Sequence, residues 1–203
     1  IKMKECADRA RHFGNPEGLI TALARQGGLL ALRGKTSQAR DVFQDALQMA
    51  DDLDSPVMRG RVLSSYGQAL RRAGYIDTAL DMLSEALEIL GNSNYPDAWV
   101  RALNEIAICK AATGDYSEAN RYASDALVFA RELEEPFLQT LVGFAQSEID
   151  WMESGRSDGA LEEMDRRLRR LHELSTDVRD VADAWARYGL ASVQTGRSDA
   201  EDI

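Results

Sequence analysis

The sequence is poor in everything that breaks helices or cross-links loops. Only 4 prolines and 2 cysteines occur in 203 residues, so long helices can run uninterrupted and the cysteines fit buried thiols better than a disulfide framework. The two cysteines, Cys6 and Cys109, lie about a hundred residues apart. They read as thiols of a reducing compartment, which sets the expectation of a cytoplasmic location. No run of about 18 apolar residues exists, which excludes a membrane-spanning helix. The first residues, Ile1 to Cys6, mix charge with apolarity, unlike a secretory signal. Basic residues are also scarce. With 24 against 34 acidic residues the net charge is −10, and an acidic chain repels nucleic-acid phosphate.

Catalytic and metal-binding signatures are missing too. The 2 histidines, His12 and His172, have no partner at ligand spacing, and position 176 after His172-Glu173 is Thr176. No Cys-x-x-Cys or calcium loop is present. Gly34-Lys35-Thr36 copies the end of a phosphate-binding loop, but Leu29 stands where its upstream glycine belongs, so the triplet reads as a turn. Glu134-Glu135 and Glu162-Glu163 read as solvated faces rather than acid–base pairs. The chain is therefore expected not to be an enzyme, and no cofactor or metal is expected.

What is present is a ruler. All four prolines, Pro16, Pro56, Pro96 and Pro136, stand 40 residues apart. Gly34, Gly74 and Gly114 keep the same step, and Gly155 and Gly196 follow after single-residue slips. Ala39, Ala79 and Ala119 repeat it, as do Ala46, Ala86 and Ala126, with Leu23, Leu63 and Leu103. Repetition at this period signals a solenoid, in which each unit buries its apolar face against the next.

Each unit reads as two helices. Proline suits a first helical turn, and Asn15 and Ser55 before it are good N-caps. The first helix ends at the glycine, whose position suits the left-handed residue after a helix. The second begins a few residues later, as in Gly114-Asp115-Tyr116-Ser117-Glu118-Ala119. Ala79, Leu80, Leu83, Ala86, Leu87 and Leu90 then follow the spacing of one buried helical face. Gly67 and Ala107 on first helices, with Ala79 and Ala119 on second ones, mark where two helices approach closely.

Leu63-x-x-Tyr66-Gly67, Trp185-x-x-Tyr188-Gly189 and the series Ala39, Phe43, Ala46 resemble the tetratricopeptide repeat. The likeness covers essentially the whole chain, although these repeats exceed the usual 34 residues by about six. Similarly lengthened repeats occur in bacterial MalT-like regulators and in animal spindle-orientation adaptors. The resemblance implies an all-α, right-handed superhelical solenoid of antiparallel helix pairs. Its expected divisions are a half repeat at 1–13, repeats at 16–54, 56–94, 96–134 and 136–175, and a partial repeat at 177–203. The chain starts mid-helix and stops as another second helix would begin, so it is expected to be part of a larger protein.

The resemblance also implies a concave groove lined by first helices. Its exposed stripe takes positions i, i+3, i+7 and i+10 of each. These are Arg61, Ser64, Gln68 and Arg71, then Arg101, Asn104, Ile108 and Ala111. They continue as Val142, Ala145, Ile149 and Met152, then Asp183, Ala186, Leu190 and Val193. Arg61, Ser64, Gln68, Arg71, Arg101, Asn104, Ile149 and Met152 are the candidate contacts of a partner segment with acidic and apolar residues. The alternative at the basic end is that Arg61 and Arg101 pair with acidic residues of neighbouring repeats. Ala24 and Gly28 stand where carboxylate-clamping repeats carry lysine and asparagine, which argues against chaperone tails. A protein-interaction or scaffold module is the first functional expectation, and homo-oligomerisation is compatible with it. A domain sensing a small effector or signalling peptide is the second.

Two features stand outside the pattern. Arg166-Arg167-x-Arg169-Arg170 follows Glu162, Glu163 and Asp165 and reads as a salt-laced solvent face. Arg167 also replaces the small alanine of the other repeats, so looser packing is expected between the fourth and fifth repeats. Trp99, Trp151 and Trp185 are expected in the core.

Overall fold

The computed structural model describes residues 14–91, 95–174 and 178–195, with side chains in the last segment from Val181 onward. The expected half repeat at 1–13 and the end of the partial repeat, from 196, lie outside the described residues. Among those described, every regular element is an α-helix. They are α1 (Pro16–Leu32), α2 (Thr36–Asp52), α3 (Pro56–Arg72), α4 (Ile76–Gly91) and α5 (Pro96–Ala112). They continue as α6 (Tyr116–Glu132), α7 (Pro136–Glu153), α8 (Asp158–Leu174) and α9 (Val178–Thr195). The chain forms two compact units, Ile1–Cys109 and Lys110–Ile203, divided within α5.

Local chemistry sets the boundaries. First helices open on proline at Pro16, Pro56 and Pro136. The Asn15 side chain accepts from Gly18 N–H at 2.8 Å, and Ser55 does the same for Met58 at 3.5 Å. Glu135 makes no such cap. Gly34, Gly74, Gly114 and Gly155 all take positive φ after a first helix, the left-handed turn that releases the chain into the second. Another left-handed position recurs two residues before proline. Gly14 fills it with φ 63°, but Asp54 and Glu134 hold it with φ 50° and 53°.

In the first unit α1 packs on α2, α3 on α4, and both α1 and α2 on α3. The pairs close on glycine. A Cβ on Gly27 would lie 2.8 Å from the Phe43 ring, and one on Gly67 2.6 Å from Leu83. Both contacts occupy one register, 40 residues apart, so bulk from the second helix enters a gap left by the first. Phe43, Leu83, Ala46, Ala79 and Ala86 are completely buried. In the second unit α6 packs on α7, α7 on α8 and α8 on α9. Phe144, Leu161, Met164, Leu168 and Leu171 form its centre, with Trp151 and Tyr188 against them.

One inter-pair contact recurs with different chemistry. Arg59 reaches back to both carboxylate oxygens of Asp51 at 2.9 Å while binding Glu85 at 2.8 Å. Forty residues on, the Trp99 indole lies against Gly91. In the second unit Gln139 donates to the Ala130 carbonyl at 3.2 Å. Trp151 is buried, as expected, whereas Trp99 and Trp185 are half-buried beside the cores.

Arg167 turns back onto α7 of its own pair. Its guanidinium lies on Gly143 of α7, where an added Cβ would overlap Nη1 outright and sit 2.8 Å from Cζ. Gly143 stands where earlier repeats carry Leu23, Leu63 and Leu103. The large residue has moved to the second helix and the small one to the first, so the volume is conserved.

Candidate interaction surface

In the first unit the candidate row lies on α3 and α5. Arg61 is half-buried, and its guanidinium carbon stands 5.5 Å from the centroid of the Tyr95 ring. That distance suits cation–π attraction. Its Nη1 also approaches the Met58 sulfur at 3.7 Å. Tyr95 is 40% exposed, so the cation and the ring sit together at the surface. Ser64 is half-buried one turn further on.

Gln68 and Arg71 converge on one carboxylate. Gln68 Nε2 donates to Glu105 Oε1 and Arg71 Nε to Glu105 Oε2, each at 2.7 Å. The Arg71 and Glu105 side chains are only 8% and 7% exposed. The pairing with acidic residues of a neighbouring repeat, considered for Arg61 and Arg101, is thus realised at Arg71. Arg101 is half-buried. Asn104 is 1% exposed, and its Oδ1 has no hydrogen-bond partner among the described residues.

The apolar stretch of the expected stripe is placed differently. Ile149, Val142 and Ala145 are completely buried and Met152 is half-buried. An apolar stripe satisfies a groove and a core face equally well, and burial resolves it here as core for Ile149. Leu190 and Val193 on α9 are 61% and 65% exposed. The second unit carries its own buried ion pair between first helices, Arg187 to Glu148. Asp183 Oδ2 is 3.3 Å from Arg187 Nε, close enough for attraction but not aligned as a hydrogen bond. The Arg187 guanidinium also lies 4.8 Å over the Phe144 ring.

Glu105, Tyr95, Glu148 and Arg187 were not singled out by sequence. Glu105 sits one residue beside the expected stripe, and its offset of 34 from Arg71 matches no repeat step. The arginine run on α8 is internally neutralised. Glu163 binds Arg166 and Arg167 at 2.6 Å, Asp165 binds Arg169 at 2.9 Å, and Glu173 binds Arg170 at 2.7 Å. Among the described residues, no group of three or more His, Cys, Asp or Glu side chains is placed to hold a metal ion. No helix among them is long and apolar enough to cross a membrane.

No protein-family model matches the chain, and no curated protein does. Solved structures do. The crystal structure of BtubC (BKLC) from P. vanneervenii superposes with a TM-score of 0.68 over 99% of this chain and 84% of that one. The fold is an all-α helical-repeat solenoid. Sequence identity with BtubC is 17%, so the likeness speaks to fold alone.

Proposed function

We propose that the chain is a tetratricopeptide-type interaction module, without catalytic activity, that binds a partner segment bearing acidic and apolar residues. Helical-repeat folds commonly serve as interaction scaffolds. The observation that carries the reading is the Arg61–Tyr95 pair. A guanidinium held over an exposed ring combines two of the residue types enriched where interfaces derive their energy. Glu105 engages Gln68 and Arg71, which stiffens the adjoining row and lowers the ordering cost of binding. We place its action in the cytoplasm, where Cys109, buried and free, stays reduced.

The test is an array of capped synthetic peptides that combine acidic residues with leucine or phenylalanine anchors. Peptides that bind are titrated against wild type, Arg61→Glu/Arg101→Glu and Arg169→Glu/Arg170→Glu. Reversal at Arg61 and Arg101 weakens binding by about 2–5 kcal/mol where the pairs are desolvated. Reversal at Arg169 and Arg170 changes it little. Loss confined to the α8 variant would move the site to α8 and overturn the assignment.

A further inference from the structure

The first unit contains a cleft of about 350 Å³ between the α1–α2 and α3–α4 pairs, at the edge where the Gly34 and Gly74 turns lie. Its volume falls at the lower end of the range for small-molecule sites. We propose that this cleft binds a small aromatic carboxylate.

Two of its lining residues, Arg40 and Tyr66, carry its chemistry. Arg40 stands in the register of Leu80, and Tyr66 in the register of Ile106. The Arg40 register also holds Asn120, and Tyr66 belongs to the repeat pattern as Tyr188 does; what sets this cleft apart is that a cation and a phenol line it together. Arg40 is weakly engaged. Its only ion pair among the described residues is a 4.0 Å approach to its neighbour Asp41, with both side chains more than half exposed. Arg40 is near enough to Tyr66 that its charge opposes the upward push of burial on the phenol.

The walls select the rest of the ligand. Tyr66 is clamped by stacking on Phe43, with centroids 4.7 Å apart and planes at 19°. Tyr75, 58% exposed, lines the cleft from the turn just before α4. Ala69, Ala73 and Leu70 supply a low apolar floor. A flat ring has aromatic and aliphatic surface to cover, as offset or edge contacts prefer. A carboxylate on that ring meets the Arg40 guanidinium, whose planar fork matches it. The hydroxyls of Thr36 and Ser37 open α2 at the same edge, and the N-cap Lys35 leaves that helix end without a side-chain cap. The local field there also favours an anion.

The site shares no residue with Arg61, Ser64 or Arg101, so its failure and that of the partner-segment reading are distinguishable. The probe is 2-naphthoate, titrated into the whole chain at up to millimolar concentration and followed by amide chemical shifts. The two comparison ligands are neutral 2-naphthamide and ring-free cyclohexanecarboxylate. Saturable shifts are expected at residues 36–40 and 66–78, with affinity at least about tenfold weaker for the amide. Arg40→Leu places in α2 the residue that α4 carries at the same register, and it should weaken naphthoate by a similar factor. Absence of shifts at those residues overturns the proposal. So does equal affinity for acid and amide, a test that uses the wild-type chain and is independent of how the variant folds.

Discussion

Arg71 and Glu105, 34 residues apart on α3 and α5, are joined at 2.7 Å with both side chains more than nine-tenths buried. Two charges removed from water are held by each other and by Gln68. Such a pair contributes little beyond an apolar equivalent, but removing one partner strands the other. Glu105→Ala should destabilise the first unit by about 3–5 kcal/mol in chemical denaturation. Arg71→Met/Glu105→Leu should recover most of that loss. Full additivity of the two single changes would show that the pair is not coupled.

Among the described turns before a proline, the one at Pro136 is the weakest. Glu134 occupies a left-handed conformation at φ 53°, and Glu135 leaves the helix end uncapped. At the equivalent turn Gly14 takes φ 63° and Asn15 caps Gly18. Transplanting that solution as Glu134→Gly/Glu135→Asn should raise stability by about 1–2 kcal/mol, by relieving strain and adding a cap. A lower melting temperature in the variant would refute it.

Burial pushes the Cys109 thiol up to about 12, with Glu105 adding to the effect and Arg71 opposing it. The neutral thiol is the form the fold favours. Stability from this group is therefore complete below its ordinary value of 9.0 and is lost as pH rises toward 12. The slope between those limits reaches about 1.4 kcal/mol per pH unit. Cys109→Ala should flatten that part of the alkaline decline. At pH 8 iodoacetamide should label Cys109 only as fast as the native chain opens. Rapid labelling of native protein would contradict the burial.

What the sequence discloses is what each residue does locally. Prolines open helices, glycines turn them, and alanines mark close approach, so the 40-residue ruler locates α1 to α8 within a residue or two. The left-handed sites before Pro56 and Pro136 are hidden because Asp54 and Glu134 do not advertise them as Gly14 does before Pro16. The sequence places the polar candidate row on first helices but does not disclose its exposure, and Asn104 is buried. Arg61 and Ser64 lie partly open, but Gln68 and Arg71 turn to Glu105 because a long side chain reaches about one position beyond its stripe. Ile149 was misplaced for another reason. Apolar spacing states that a face is covered without stating whether a ligand or the fold covers it.

Gly143 and Arg167 show how a repeat departs from its own pattern without losing its packing. In the second pair Leu63 on the first helix and Ala86 on the second share one apolar cluster. In the fourth pair Gly143 and Arg167 divide the same volume the other way, and the Arg167 Nε remains tied to Glu163 at 2.6 Å. The guanidinium end is flexible and can yield to one added methyl, so Gly143→Ala tests little. Gly143→Leu cannot be accommodated beside Arg167 and should cost about 1–3 kcal/mol through overpacking. Arg167→Ala alone opens a gap over Gly143 and should also destabilise. The double variant restores the leucine–alanine arrangement of the earlier pairs. It should be more stable than either single variant, with a coupling of about 0.5–3 kcal/mol in a double-mutant cycle. Zero coupling, measured by urea denaturation of all four proteins, would mean that the two positions do not share a volume.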